Sequence, residues 1–62
     1  MGIRERIIRA YQELSAHRGF SGVTVDEVAA HARVSKRTIY RYFDSKDDII
    51  ASVVDEFLQA ME

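Results

Sequence analysis

The stretch from Arg33 to Lys46 holds five cations, Arg33, Lys36, Arg37, Arg41 and Lys46, with Thr38, Tyr40 and Tyr42, against a single acid, Asp44. These side chains suit one kind of chemistry. Guanidinium and ammonium groups donate to phosphate oxygens or to guanine O6 and N7. Phenol hydroxyls reach phosphates or pack on sugars, and a threonine offers a hydroxyl and a methyl to a thymine. At about 100° per residue, Ile39 and Phe43 fall within about 40° of each other, with Arg37 and Arg41 opposite, Thr38 beside those two and the tyrosines on the flanks. One thin apolar stripe is left to hold a short helix whose remaining surface points outward, and a helix that short buries little by itself. A nucleic-acid groove is the surface such a helix fits.

Other chemistries find less support. Nucleophilic or acid–base catalysis needs a base beside a nucleophile, or paired carboxylates in a cleft, and short helices offer little cleft. His17 and His31 each fall near a helix C-terminus, where the helix dipole accounts for them, and neither has a partner at metal-ligand spacing. Asp47 and Asp48 read as acids of a first helical turn. No glycine-rich phosphate loop is present, and no cofactor or metal site is expected.

The chain has 62 residues, enough for one small domain that buries roughly 60% of its unfolded surface. With no cysteine, disulfides and thiolate metal sites are excluded, and the composition suits a reducing compartment. No apolar run is long enough for a membrane span or a secretion signal, so no membrane partner and a cytoplasmic, nucleoid-associated location are expected. The net charge of -1 conceals a segregated distribution. Residues 1–32 sum to zero, residues 33–46 to +4 and residues 47–62 to -5. Screening confines each field to roughly 8 Å in physiological salt, so the local balance governs what each segment attracts.

Four helices position the basic stretch. Ile3, Ile7, Ala10, Tyr11 and Leu14 recur at spacings of three and four over residues 3–18, with His17 and Arg18 in the last turn and Gly19 as a left-handed stop. Phe20 reads as a core plug and Ser21-Gly22 as a turn. Thr24-Val25-Asp26-Glu27 fits a capping box, Val23 and Val28 a hydrophobic staple, and the second helix extends to about His31 or Ala32. Arg33-Val34 then forms a short turn before Ser35, the N-cap expected for a third helix over about 36–43, with Val34 and Ile39 as a second staple. Two short amphipathic helices joined this way make a helix-turn-helix over about residues 24–43. Ser45-Lys46-Asp47-Asp48 starts the fourth helix, whose apolar residues Ile49, Ile50, Val53, Val54, Phe57, Leu58 and Met61 span an arc too broad for one contact.

Thr24-Val25-Asp26-Glu27-Val28-Ala29 and Val34-Ser35-Lys36-Arg37-Thr38-Ile39-Tyr40-Arg41-Tyr42-Phe43-Asp44-Ser45-Lys46 together resemble the N-terminal DNA-binding segment of the TetR family of bacterial transcriptional repressors. Gly19-Phe20, the alanine pair, the Val-Ser step, the Tyr-x-Tyr-Phe run and the Ser-Lys pair carry the likeness, which covers nearly the whole chain. The resemblance implies base-facing roles for Lys36, Arg37, Thr38 and Tyr40 and phosphate contacts from Thr24, Ser35, Tyr42 and Lys46, with Arg41 suited to either. Family members commonly place a glycine where this chain has Arg33. The departure implies a strained turn or a phosphate contact by Arg33. They also continue into a helical C-terminal domain that binds an effector and forms the dimer, whereas this chain stops at Glu62.

The expectation is therefore an all-α, homeodomain-like domain over residues 1–62, a three-helix helix-turn-helix core plus a fourth helix. Its partner is a double-stranded DNA operator, and its expected role is a repressor's DNA-binding domain without catalytic activity. A homodimer would form on DNA or through the absent C-terminal domain. The competing expectation is a small protein-interaction module using the apolar face of the fourth helix.

Overall fold

A computed structural model describes residues 2–60 of the chain. Four α-helices follow in order among the described residues: α1 (Ile3–Arg18), α2 (Val25–Ala32), α3 (Lys36–Tyr42) and α4 (Lys46–Ala60), with a single 3-10 turn at Phe20–Gly22 between the first two. The expected boundaries hold to within a residue. The third helix ends at Tyr42, and Phe43 closes it in an extended conformation, its N–H donating to the Ile39 carbonyl at 2.9 Å. Met61, counted in the apolar arc, lies outside the described residues.

Each helix end has an identifiable cause. Gly19 ends α1 at φ 77° and ψ 164°, and its N–H donates to the Ser15 carbonyl at 2.7 Å. The stop falls where expected, but the conformation is extended at positive φ rather than the left-handed helical one, a region open essentially to glycine alone. The capping box of α2 is complete: Thr24 Oγ1 accepts from the Glu27 N–H at 3.2 Å, and Glu27 Oε1 accepts from the Thr24 N–H at 3.1 Å. The other Glu27 oxygen pairs with Arg18, so the box also ties the start of α2 to the end of α1. At the opposite end, Arg6 donates to the Ala32 carbonyl at 2.6 Å. The two helices therefore run antiparallel.

The core forms between these elements. Ile7, Ile8, Ala10 and Tyr11 of α1 meet Val23, Val28, Ala29 and Ala32, with Ile39 of α3 and its cap Phe43 closing from one side and Ile49 and Val53 from α4. The staple pair Val23 and Val28 is fully buried, whereas Ile3, Leu14, Val25, Val34 and Ile50 are partly covered at the margins. Burying one such aliphatic side chain is worth about 1.5–3 kcal/mol, so Ile39 supplies much of what holds the short third helix. Arg4 reaches across from α1, its guanidinium 5.8 Å from the Phe43 ring and donating to Ser52 of α4 at 3.3 Å.

Phe20 departs from expectation. It is 45% exposed and lies over the core rather than in it, its ring stacked on Tyr11 at 6.0 Å between centroids. The plug is Tyr11 itself, fully buried, with its hydroxyl donating to the Phe20 carbonyl. Burial, followed by the nearby Asp47 carboxylate, pushes the Tyr11 phenol above its ordinary ionisation range.

Candidate nucleic-acid interface

The third helix owes its start to Ser35, whose hydroxyl accepts from the Thr38 N–H at 3.0 Å, as expected for its N-cap. Its charge placement is unusual. The first turns of α1, α2 and α4 hold acids, Glu5, Asp26 with Glu27, and Asp47 with Asp48, where the helix dipole favours them. The first turn of α3 holds Lys36 and Arg37 and no acid. Cations there oppose the dipole, so local stability does not explain them.

Most of the singled-out side chains are exposed. Only Ile39 is buried within α3; Lys36, Arg37 and Arg41 are exposed, and Tyr40 and Tyr42 stand 46% and 49% exposed. Arg37 and Arg41 have no hydrogen-bond or ion-pair partner among the described residues. Lys36 is tethered: its Nζ lies 3.2 Å from Asp26 Oδ1 of α2, an exposed pair of the kind worth little in water. Thr38 is half-buried, with its hydroxyl 2.9 Å from that of Ser35. Thr24 is exposed, but its hydroxyl is engaged in the capping box. Lys46 is half-buried and donates to the Ser21 carbonyl at 3.4 Å. It thereby links α4 to the turn before α2.

Arg33 keeps the backbone conformation that a glycine would favour. It caps α2 at φ 61° and ψ 45°, the one non-glycine residue with positive φ among those described. Its N–H donates to the Ala30 carbonyl at 3.3 Å, and the Val34 N–H to the Ala29 carbonyl at 3.0 Å. The backbone keeps the left-handed turn despite a side chain that costs on the order of 1 kcal/mol there.

Two of the contacts that sequence reasoning missed involve residues of α2. One is the Asp26–Lys36 pair. The other is a group on the far side of α2, where His31 Nε2 meets Glu13 Oε1 at 2.7 Å beside Arg6 and Arg9. The signal for the second was present, because positions 6, 9 and 13 recur at spacings of three and four along one face of α1. Which helix that face meets depends on the tertiary fold. No group of His, Cys, Asp or Glu suited to a metal is found among the described residues, and no described helix is long and apolar enough to cross a membrane.

Comparison with known proteins is specific. The family model described as bacterial regulatory proteins, tetR family, matches residues 7–53. The chain is 40% identical over 57 residues to the uncharacterized HTH-type transcriptional regulator YdeS of Bacillus subtilis (strain 168), covering 92% of this chain and 27% of that protein. It is 38% identical to the uncharacterized HTH-type transcriptional regulator YvaF of the same organism, over 94% of this chain and 30% of YvaF. It is also 36% identical to the HTH-type transcriptional repressor SCO4008 of Streptomyces coelicolor, over 86% of this chain and 28% of the repressor. The chain thus spans less than a third of the length of these relatives. No solved structure matches it significantly.

Proposed function

The chain belongs to the tetR family of bacterial regulatory proteins, a family of transcriptional regulators rather than of enzymes, and we propose that it reads double-stranded DNA through α3 as the operator-binding part of a repressor. The observation that carries this reading is the inverted first turn of α3, where Lys36 and Arg37 stand against the helix dipole on an exposed face. A major groove reverses the balance, because base edges and flanking phosphates supply the acceptors that the helix lacks.

In this reading Lys36, Arg37, Thr38 and Tyr40 face base edges. Thr24, Arg33, Ser35, Arg41, Tyr42 and Lys46 meet phosphates and set the register. The caps at Thr24 and Ser35 each end a helix whose N-terminal N–H groups suit an anion. The protein acts in the cytoplasm on the nucleoid. As a single copy it binds weakly, and pairing through a further domain doubles the contacts and sets the half-site spacing.

Exposed Val54, Phe57 and Leu58 favour a second reading, a helical protein-interaction module. With Phe20 and α1 residues, Val54 and Phe57 line an apolar groove of about 510 Å³.

Selection of bound duplexes from a random pool at two salt concentrations separates the two. DNA reading gives a short enriched motif and an affinity that falls steeply with salt, by about 0.9 logarithmic units per tenfold salt for each phosphate contacted. No enrichment, either from this chain or from one fused to a dimerising coiled coil, overturns the DNA reading in favour of the module.

A further inference from the structure

The cleft between α1 and the α2–α3 turn is lined by Arg6, Arg9, Glu13, His31, Ala32 and Arg33 and has a volume of about 180 Å³. Its positive charge is poorly compensated. The one acid lining it, Glu13, is paired with His31 at 2.7 Å. The Arg6 guanidinium is held at the Ala32 carbonyl, 2.6 Å away. Arg9 and Arg33 have no hydrogen-bond or ion-pair partner among the described residues, so the cleft is lined by three arginines of which the fold uses only one.

Arg33 adds an independent observation. It occupies a left-handed backbone position at which glycine is unstrained, and the bulky residue retained there is a cation at the rim of this cleft. Residues 33–36 span at most roughly 10 Å of extended chain, so the cleft lies close to the first side chains of α3.

We infer that this cleft binds one phosphate group, held by the guanidinium groups of Arg9 and Arg33 with Arg6 at its base, and that the phosphate belongs to the backbone of the duplex that α3 enters. The inference rests on the DNA reading and extends the contact surface from the helix-turn-helix to α1. Guanidinium pairs phosphate oxygens through two parallel N–H donors, and the cleft has room for a phosphate. Free inorganic phosphate shares this chemistry and is the other source to be distinguished.

Arg9→Gln is the variant of choice, because Arg9 is exposed and supports no contact of the fold, whereas loss of Arg6 strands the Ala32 carbonyl. Binding of parent and variant to the enriched duplex and to an unrelated duplex is measured across a salt series, beside thermal melts. The expected result is unchanged melting, a several-fold weaker affinity for both duplexes alike, and a salt slope lower by about 0.9, one phosphate contact. Arg9→Lys retains the parent's slope, since an ammonium serves as a point charge. A parent that binds DNA and an Arg9→Gln variant that binds it identically overturn this inference alone. A parent that binds no duplex overturns the DNA reading and this inference with it. Titration of the parent with inorganic phosphate, followed through arginine Nε–H signals, supplies the other arm. A phosphate response lost in Arg9→Gln, with DNA binding unaltered, assigns the cleft to free phosphate and overturns the duplex.

Discussion

Helices α3 and α4 both present more surface than they bury, and they do so with opposite chemistry. The third helix is short, cationic at its first turn and bordered by half-exposed tyrosines, with Ile39 as its buried anchor. The fourth is twice as long, starts with Asp47 and Asp48 in accord with its dipole, and buries Ile49 and Val53 while leaving Phe57 and Leu58 64% and 59% exposed. Water solvates the exposed surface of α3 well, so its cost lies in charges set against the dipole, which a polyanion relieves. The outer face of α4 has satisfied electrostatics and unsatisfied apolar area, which only another apolar surface relieves. Two exposed helices in one small domain thus present opposite surface chemistry.

The strongest way to test this contrast is to remove the anchor of α3. Ile39→Ala deletes a fully buried side chain and should cost about 2–5 kcal/mol in denaturant unfolding. The expected loss of DNA binding accompanies unfolding. A variant that keeps its stability would show that α3 is held by something other than its apolar stripe.

Next in size, Arg37→Ala should raise stability slightly, by removing a cation set against the dipole, and weaken binding to a selected duplex by roughly 1–3 kcal/mol with relaxed base preference. Lys46→Ala should weaken selected and random duplexes equally. Equal losses on both duplexes for both variants would erase the division between base-facing and phosphate-facing residues.

A smaller effect, with opposite signs in its two readouts, is expected for Arg33→Gly. Removing the side chain from φ 61° relieves strain of at most about 1 kcal/mol, offset in part by the greater freedom of glycine in the unfolded chain. Melting should rise slightly while DNA binding weakens. A fall in both would assign Arg33 to the fold alone.

Alkaline titration probes the junction of α1 with the start of α4. The Tyr11 phenol ionises above its ordinary value of 10.0 in the folded chain, so the unfolded chain loses its proton first as pH rises. Stability from this group is complete below pH 10 and declines as pH climbs through the folded ionisation. Tyr11→Phe should be less stable at neutral pH, having lost the hydroxyl bond to Phe20, but should lose less stability above pH 10. Parallel decline of both proteins would point to other groups.

The smallest stability change is expected on the outer face of α4. Leu58→Ser should alter unfolding by no more than about 0.5 kcal/mol and leave the salt slope of DNA binding unmoved. A large loss of stability would mean that this face is packed within the domain after all.

Much of the architecture was legible from local signals, because helix ends are specified by neighbouring residues. The Thr24–Glu27 box, the Ser35 cap and the stop at Gly19 each act within a few positions, and the periodicity of Ile7, Ala10 and Tyr11 identifies the buried face of α1 without knowledge of its partner. The outward character of α3 was legible for the same reason, since a helix of seven residues with one thin apolar stripe cannot hide its cations.

Contacts between helices were not legible in that way. Phe20 has the chemistry of a core residue, yet Tyr11 is the aromatic that is buried, and the Phe20 ring is left stacked on it at the surface. Ile8 escaped the expected stripe but is buried, because α1 is covered on more than one side. The Asp26–Lys36 tether and the cleft of Arg6, Arg9 and Arg33 join residues far apart in the chain, and periodicity within one helix carries no information about the angle at which another crosses it. Sequence alone therefore settled helix types, their limits and the charge each one shows, all consequences of interactions within about a turn. Which charges meet, and which apolar residues remain uncovered, followed from packing, where competition for the same small core leaves Phe20, Phe57 and Leu58 outside.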